Sequence, residues 1–387
     1  VVVGGGLMGA GISTAMLSAG LNVTLIEQDS SAAEAAKERV TGLVNSAVKR
    51  GKATELQAAE RIGRLRCESD FDEAAGADLA IEAVFEDAAV KHGVFANLAP
   101  IMSDQAILAT NTSYLDPQDI FSETPNKGRC IGLHFFSPAH VMKLLEVVRL
   151  PETSSEVLAT GFALGKQLRK VSVLSGICDG FIGNRMLAAY RREADYLLAD
   201  GALPYQIDEA MRAFGIPMGP YELQDLTGLQ IAWANRKRQS KTRNPAERYV
   251  PIADQLCEME RFGQRSGKGW YRYAEGNRAP QRDPKVEALI ESYSLKIGIS
   301  RRAFTGEEIS ERVMAVLANE GVRIVEEGIA ESDAADDVVQ MHGYGFPRWR
   351  GGPMQHAKES GWEETARIMR EVAAENPDSW TLAERLA

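Results

Sequence analysis

Short aliphatic runs alternate with amphipathic segments through the first half of the chain. Val1–Val3, Val23–Ile26, Leu79–Ala83 and Ala106–Thr110 have the length and β-branched content of buried strands, and Ile131–Phe135, Leu144–Val148 and Lys170–Leu174 repeat the pattern. Between them, apolar residues recur at three- and four-residue steps and predict helices. One opens at a glycine loop and runs to about Ala19. A second covers Ala32–Arg50, with Ser31 as its cap and Glu34 at the capping-box position, and a third centres on Val90–Leu98. Strands alternating with helices at this spacing imply an α/β, Rossmann-type, doubly wound and mainly parallel sheet over residues 1–174.

After Ser175 the pattern becomes wholly helical. Phe181–Ala199, Tyr205–Phe214 and Tyr221–Arg236 carry apolar stripes, followed by the basic stretch Arg236–Arg248 and the segment GQRSGKGWYRY at Gly263–Tyr273. Asn277–Pro284 is rich in turn formers and reads as a linker. Beyond it, ERVMAVLANEGVRIVEEGIA (Glu311–Ala330) matches NRMLAAYRREADYLLADGAL (Asn184–Leu203): Arg312 falls on Arg185, Ala315 on Ala188, Glu320 on Glu193 and Gly328 on Gly201. GFPRWRGGP (Gly345–Pro353) then echoes GIPMGP (Gly215–Pro220). The expectation is a duplicated all-α C-terminal domain, with a first helical unit at 175–276 and a second at 300–387.

Composition narrows the function without naming it. The chain has 387 residues, is 44% hydrophobic and 25% charged, and carries a net charge of −10. That balance is ordinary for a globular protein and argues against nucleic acid or an anionic membrane as the main partner. No apolar run is long enough to span a bilayer, and no signal peptide is visible. Cys67, Cys130, Cys178 and Cys257 are widely spaced, show no zinc pattern and read as reduced thiols, and no metal is expected. The C-terminus, Arg385-Leu386-Ala387, is not an SKL-type address. A cytoplasmic, bacterial protein is expected on these grounds. The chain starts inside a strand and without Met, so a natural protein extending upstream of Val1 is expected as well.

Gly4-x-Gly6-x-x-Gly9, within GGGLMGAG, sits between a strand and a helix and fits the dinucleotide fingerprint. The first glycine permits the tight turn, the second lets backbone approach a pyrophosphate, and the third lets helix pack on strand. Leu7 and Met8 complete the loop. Glu27, at the end of the next strand, is placed to accept hydrogen bonds from the adenosine ribose, with Gln28 beside it. Its charge repels a 2′-phosphate and Gln28 offers no cation to hold one, so NAD is favoured over NADP. Ala83 ends a further strand near the same crevice.

His134, taken alone, has the surroundings of a packed strand residue, and Glu146 those of a solvated strand charge. Together they offer more, since the loop Ser137–Lys143 can bring their strands side by side. A carboxylate on Nδ1–H fixes the imidazole tautomer and frees Nε2 to take a proton, as oxidation of a secondary alcohol requires.

The segments GGGLMGAGI, IEAVFED, ATNTSYL, GLHFFSPAHVMKLLEVV, DGFIGNR and PMGPYELQDLTGL lie between Gly4 and Leu229, and the resemblance they carry extends over essentially the whole chain. In them the sequence resembles the L-3-hydroxyacyl-CoA dehydrogenase family, and specifically the dehydrogenase part of multifunctional fatty-acid β-oxidation enzymes. The resemblance implies NAD-dependent oxidation of an L-3-hydroxyacyl-CoA to the 3-ketoacyl-CoA. It assigns His134 as catalytic base and Glu146 as the carboxylate that orients it. Ser113 matches the hydroxyl that bonds the substrate oxygen, and Asn184 the amide near the thioester. The intervals among these residues fit the family pattern. Glu86 and Lys91 match positions near the nicotinamide ribose, with Asn111 beside Ser113. Arg50, at a basic helix end with Lys49 and Lys52, could pair with CoA phosphates, although a helix C-terminus favours such cations in any case.

One departure is HFFSP where single-function members have HFFNP, and Ser137 is the multifunctional form. Single-function members dimerise through one helical unit. Two units could cover that surface internally, which leaves monomer and homodimer both open. Thiolase is a possible further partner, and an enoyl-CoA hydratase/isomerase domain precedes this point in the multifunctional relatives. Two other readings remain at this stage: a dehydrogenase of another 3-hydroxy acid, and a non-catalytic, crystallin-like NAD-binding protein.

Overall fold

The apolar runs assemble into a single sheet in the computed structural model, which describes residues 1–387. Its strands are β1 (Val2–Val3), β2 (Val23–Ile26), β3 (Leu65–Glu68), β4 (Leu79–Glu82), β5 (Ile107–Thr110), β6 (Cys130–Phe135), β7 (Leu144–Val148) and β8 (Val171–Ser175). They lie in the order β3-β2-β1-β4-β5-β6-β7-β8. All pair in parallel except β6 with β7, which is antiparallel. The connecting helices are α1 (Leu7–Ser18), α2 (Ser30–Lys49), α3 (Glu55–Gly63), α4 (Ala88–Ile101), α5 (Pro117–Ile120) and α6 (Ser155–Gln167).

Alternation along the strands decides which face each residue covers. Val2, Leu25, Ile81, Ala109, Ile131, Leu133, Leu145 and Val147 join one core with Ile12 and Leu17 of α1 and Val40 of α2. Their neighbours Val3, Ile26, Ala80 and Leu108 point the other way, into a second core with Phe95 and Leu98 of α4. Burial on both faces explains why these strands read as continuous apolar runs.

The sequence pattern misplaces some boundaries and misses some elements. The cap of α2 is Asp29, whose carboxylate accepts from Ala32 N at 2.8 Å, and not Ser31. Asp29 keeps an extended backbone whereas Ser30 already begins the helix. The stretch expected as one helix over Tyr221–Arg236 is broken at Gly228, which takes φ 91°. Strand β3 went unread because Arg66 and Glu68 put polar residues into a half-buried edge strand.

The helical part comprises α7 (Gly183–Asp200), α8 (Pro204–Phe214), α9 (Pro220–Thr227), α10 (Leu229–Gln239), α11 (Ile252–Glu258), α12 (Pro284–Lys296), α13 (Gly306–Glu326), α14 (Asp333–Gly343), α15 (Pro353–Ser360) and α16 (Trp362–Glu375). A long helix, an 11-residue helix and an 8-residue helix with proline in its first turn occur in that order twice, as α7–α9 and as α13–α15. Buried Arg312 on α13 joins these segments, pairing with Glu193 on α7 at 2.8 Å and with Glu375 on α16 at 2.6 Å.

The compact units cut the chain differently from the ranges 1–174, 175–276 and 300–387. One is Val1–Arg185 together with Glu327–Tyr344, and the other is Met186–Glu326 together with Gly345–Ala387. The physical reason lies in α14, which packs on β7 and β8 and so belongs with the sheet. Gly176 N donates to Ile329 O at 2.7 Å, and Arg185 forms a two-point ion pair with Glu327 at 2.6 and 2.9 Å.

Within α14, Asp336 is fully buried and neither carboxyl oxygen has a hydrogen-bond partner. Aligning α14 with α8 by their first residues places it where the earlier helix has buried Ile207. Burial, reinforced by Asp333 and Asp337 and opposed by Arg185, pushes its carboxyl up to about 9, with Glu146 adding to the rise. A folded-state value raised above the unfolded one means that stability is intact below pH ~4 and is lost as pH climbs through about 9. Asp336→Asn keeps the shape and cannot ionise in the unfolded chain. It is expected to stabilise the protein by on the order of 2 kcal/mol at neutral pH and to flatten the decline of Tm between pH 5 and pH 8. A thermal melt series that superimposes on wild type would refute this.

Candidate active site

The crevice for a ligand opens where the strand order reverses, between β1 and β4. Gly4 leaves β1 with φ 95°, a conformation that glycine adopts freely. Gly6 caps α1 without a side-chain bond, and no acid lies in the first turn, so the helix presents free N–H groups. A Cβ built on Gly6 meets nothing within 4 Å, which leaves the loop surface open at the point where a pyrophosphate would lie. Leu7 is exposed and Met8 half-buried at the same lip. Glu27 closes the loop from below, its Oε1 accepting from Gly5 N at 2.6 Å and its Oε2 from Gln28 N at 3.1 Å. Arg39 Nη1 donates to the Gly5 carbonyl. These residues fit a dinucleotide.

On the other side of the crevice lies a buried charge network. Lys91 is 1% exposed, so it is no surface residue of α4. Its ammonium bonds Glu82 Oε1 at 2.7 Å and lies 3.2 Å from Glu86 Oε2. Glu82 also accepts from Val84 N at 2.8 Å and from Thr110 Oγ1 at 2.6 Å. Glu86 collects the next loop: Thr112 Oγ1 donates to its Oε1 at 2.6 Å, Ser113 N at 2.8 Å and Tyr114 N at 3.1 Å. Burial alone would raise the Glu86 carboxyl, but the Lys91 charge and these donors hold it below its ordinary value. Ala83 and Glu86 flank the same turn. Glu82, Thr110 and Thr112 were missed in the sequence, where the signal was an acid ending an otherwise apolar strand.

His134 and Glu146 stand directly opposite one another in the β6–β7 register. Directly opposed residues of an antiparallel pair share a face. His134 Nδ1 lies 2.6 Å from Glu146 Oε2, with both side chains almost fully buried. Glu146 Oε1 accepts from Gly183 N at 2.9 Å, at the start of α7, so the carboxylate is held from both sides. Phe136 and Phe181 pack against the imidazole with centroids at 4.5 and 5.6 Å. Asn111 is structural here as well, its Oδ1 accepting from Phe135 N at 2.8 Å and tying the β5 loop to β6.

Half-buried Ser113 follows that loop, and Asn184 opens α7 one residue after Gly183. The amide oxygen of Asn184 accepts from Tyr344 Oη at 2.9 Å. Arg50 is exposed at the C-cap of α2, bonded to Ser46 Oγ at 2.6 Å. Its charge and that of Lys170 reach His140, where burial and these cations depress the imidazole. Lys170 is itself lowered to about 8 by burial and by Lys143. Arg50 therefore belongs to a basic patch.

Residues 1–178 match the model of the 3-hydroxyacyl-CoA dehydrogenase NAD binding domain, and residues 180–273 that of the 3-hydroxyacyl-CoA dehydrogenase C-terminal domain. The chain is 40% identical over 375 residues to the peroxisomal bifunctional enzyme of Danio rerio, covering 94% of this chain and 51% of that protein. It thus spans about half the length of the curated relatives it matches. Among solved structures, 3-hydroxybutyryl-CoA dehydrogenase from Escherichia coli superposes with a TM-score of 0.84 at 27% identity, covering 100% of this chain and 96% of that one. The dehydrogenase part of multifunctional enzyme 1 from C. elegans superposes with a TM-score of 0.71, also at 27% identity, covering 100% and 87%. The expectation of a cytoplasmic, bacterial protein is overturned by the relatives in fish, mammals and plants, whose names place them in peroxisomes or glyoxysomes. No helix is long and apolar enough to cross a membrane.

Proposed function

Because the chain belongs to the 3-hydroxyacyl-CoA dehydrogenase family and carries its NAD-binding domain, we propose that it oxidises L-3-hydroxyacyl-CoA to 3-ketoacyl-CoA at the His134–Glu146 pair. The observation that carries this reading is the 2.6 Å contact between the two residues on opposed strands. NAD supplies the hydride acceptor when bound. Gly4, Gly6, Gly9 and the start of α1 cradle its pyrophosphate, and Glu27 takes the adenosine ribose hydroxyls. Lys91 and Glu86 set the turn beside the nicotinamide ribose.

At the reacting carbon, His134 Nε2 takes the hydroxyl proton while Glu146 on Nδ1 stabilises the imidazolium. Phe136 and Phe181 keep water from the imidazole. Ser113 holds the reacting oxygen, and the Asn184 amide donates to the thioester carbonyl. The patch of Arg50, Lys143 and Lys170 suits the phosphates of CoA.

The relatives' names support a place in peroxisomal fatty-acid β-oxidation, within a multifunctional enzyme. The recurrence of helix lengths supports duplication of the C-terminal domain. Activity is tested by following NADH formation with hydroxyacyl-CoA substrates of graded chain length beside the corresponding free 3-hydroxy acids. Turnover of the free acids alone would sink the CoA assignment. Cofactor choice has its own test. Glu27→Ala is expected to raise the NADP:NAD preference in kcat/KM roughly tenfold, equivalent to ~1.4 kcal/mol. An unchanged ratio would show that Glu27 does not discriminate.

A further inference from the structure

Tyr344 follows α14 in the sequence of the second helical segment, yet it belongs to the same compact unit as His134 and Asn184. Its hydroxyl donates to Asn184 Oδ1 at 2.9 Å across 160 positions of chain. Two neighbours hold its ring. Phe136 meets it edge-on, with centroids 5.7 Å apart at an interplanar angle of 83°, and Phe136 itself packs on His134. Gly183 provides the other wall, and a Cβ there would come within 2.6 Å of the phenol oxygen. The same Gly183 donates its N–H to Glu146. Tyr344 therefore touches the supports of both the histidine pair and the amide.

We propose that Tyr344 is a positioning residue that fixes which end of the Asn184 amide faces the substrate, an inference that rests on the dehydrogenase reading of Asn184. The two ends of a carboxamide are similar in shape and opposite in chemistry: Oδ1 accepts and Nδ2 donates. With the phenol proton on Oδ1, the amide turns its NH2 group the other way. A donor is what a thioester carbonyl oxygen needs if the acyl chain is to be held with its C3–H aimed along the hydride path. Without the tyrosine hydroxyl, the amide can rotate and spend time presenting its oxygen, which repels that carbonyl. The second helical segment thus supplies a residue that completes the reaction site.

The test is a double-mutant cycle on the full chain, with Tyr344→Phe, Asn184→Ala and the double variant assayed on a 3-hydroxyacyl-CoA. Tyr344→Phe keeps the ring and its packing, so Tm and the Kd for NAD should match wild type. Its kcat/KM for hydroxyacyl-CoA should fall about tenfold, and the double variant should be no slower than Asn184→Ala alone. Wild-type kinetics in Tyr344→Phe would overturn the proposal, as would a loss that persists in full on the Asn184→Ala background. Asn184→Asp gives an independent check, because it keeps an acceptor for the phenol and removes the donor. It should lose as much as Asn184→Ala, and near-normal activity would overturn the donor role. If wild type oxidises no hydroxyacyl-CoA at all, the dehydrogenase reading falls and takes this proposal with it, whereas an active wild type with an unaffected Tyr344→Phe condemns the positioning role alone.

Discussion

His134→Ala is expected to lower kcat by roughly 10²- to 10⁴-fold, the range that general-base catalysis contributes, while the Kd for NAD stays close to wild type. The separation follows from geometry. The imidazole sits on β6 with its Nδ1 on Glu146, whereas the dinucleotide loop and Glu27 belong to β1, β2 and α1. Removing the ring leaves Glu146 bonded to Gly183 N, so the strand pair and the start of α7 keep their tie. Glu146→Gln should give a smaller loss, because the amide still reaches Nδ1 but cannot stabilise an imidazolium by charge. Steady-state kinetics alongside NAD titration by fluorescence decides the matter. Turnover within a few fold of wild type in His134→Ala would remove His134 from the reaction.

The second large effect is expected at Gly9. A Cβ on this residue would overlap the carbonyl group of Gly4 while merely touching Val2. The Gly4 carbonyl cannot yield as a flexible side chain would, since it is backbone leaving β1. Gly4 is no freer, because its own Cβ direction points at the Ala83 backbone just past the end of β4. Gly9→Ala must therefore push α1 away from β1 and move the N–H groups that cradle the pyrophosphate. Overpacking of this kind costs about 1–3 kcal/mol of stability. The loss in NAD affinity should be larger, on the order of 100-fold, because a displaced helix start no longer converges on the anion. Gly6→Ala serves as the contrast. Its Cβ meets no protein atom within 4 Å, so it should fold normally and weaken NAD through the ligand contact alone. Equal NAD binding by Gly9→Ala and wild type would refute the argument.

Much of this site could be read in the sequence because its parts are local. The glycine loop and Glu27 belong to one strand–helix–strand unit, and His134 and Glu146 are partners in a single antiparallel pair. The register that sets them opposite one another puts them on one face. What escaped reading depends on distant partners. Glu82 ends an apolar strand, and only the fold delivers Lys91 and Thr110 to it. The burial of Lys91 against Glu82 has the same origin. Tyr344 lay in a segment read as part of a separate repeat, and no local pattern ties it to Asn184. The compact units differ from the expected ranges for a like reason, since apolar periodicity reports a helix but not which sheet it covers.

The discontinuity of the first unit also bears on how the protein is made. Asn184 leaves the ribosome 160 positions before Tyr344, and at 5–20 residues per second that interval lasts roughly 8–30 s. Throughout it, β7 and β8 lack the helix that covers them, with Leu144 and Phe136 open where Gly343 and Tyr344 later pack. The nascent chain thus has a built-in waiting period with an apolar sheet face uncovered, long enough for a chaperone to bind. The reacting groups acquire their final surroundings only once Tyr344 has emerged.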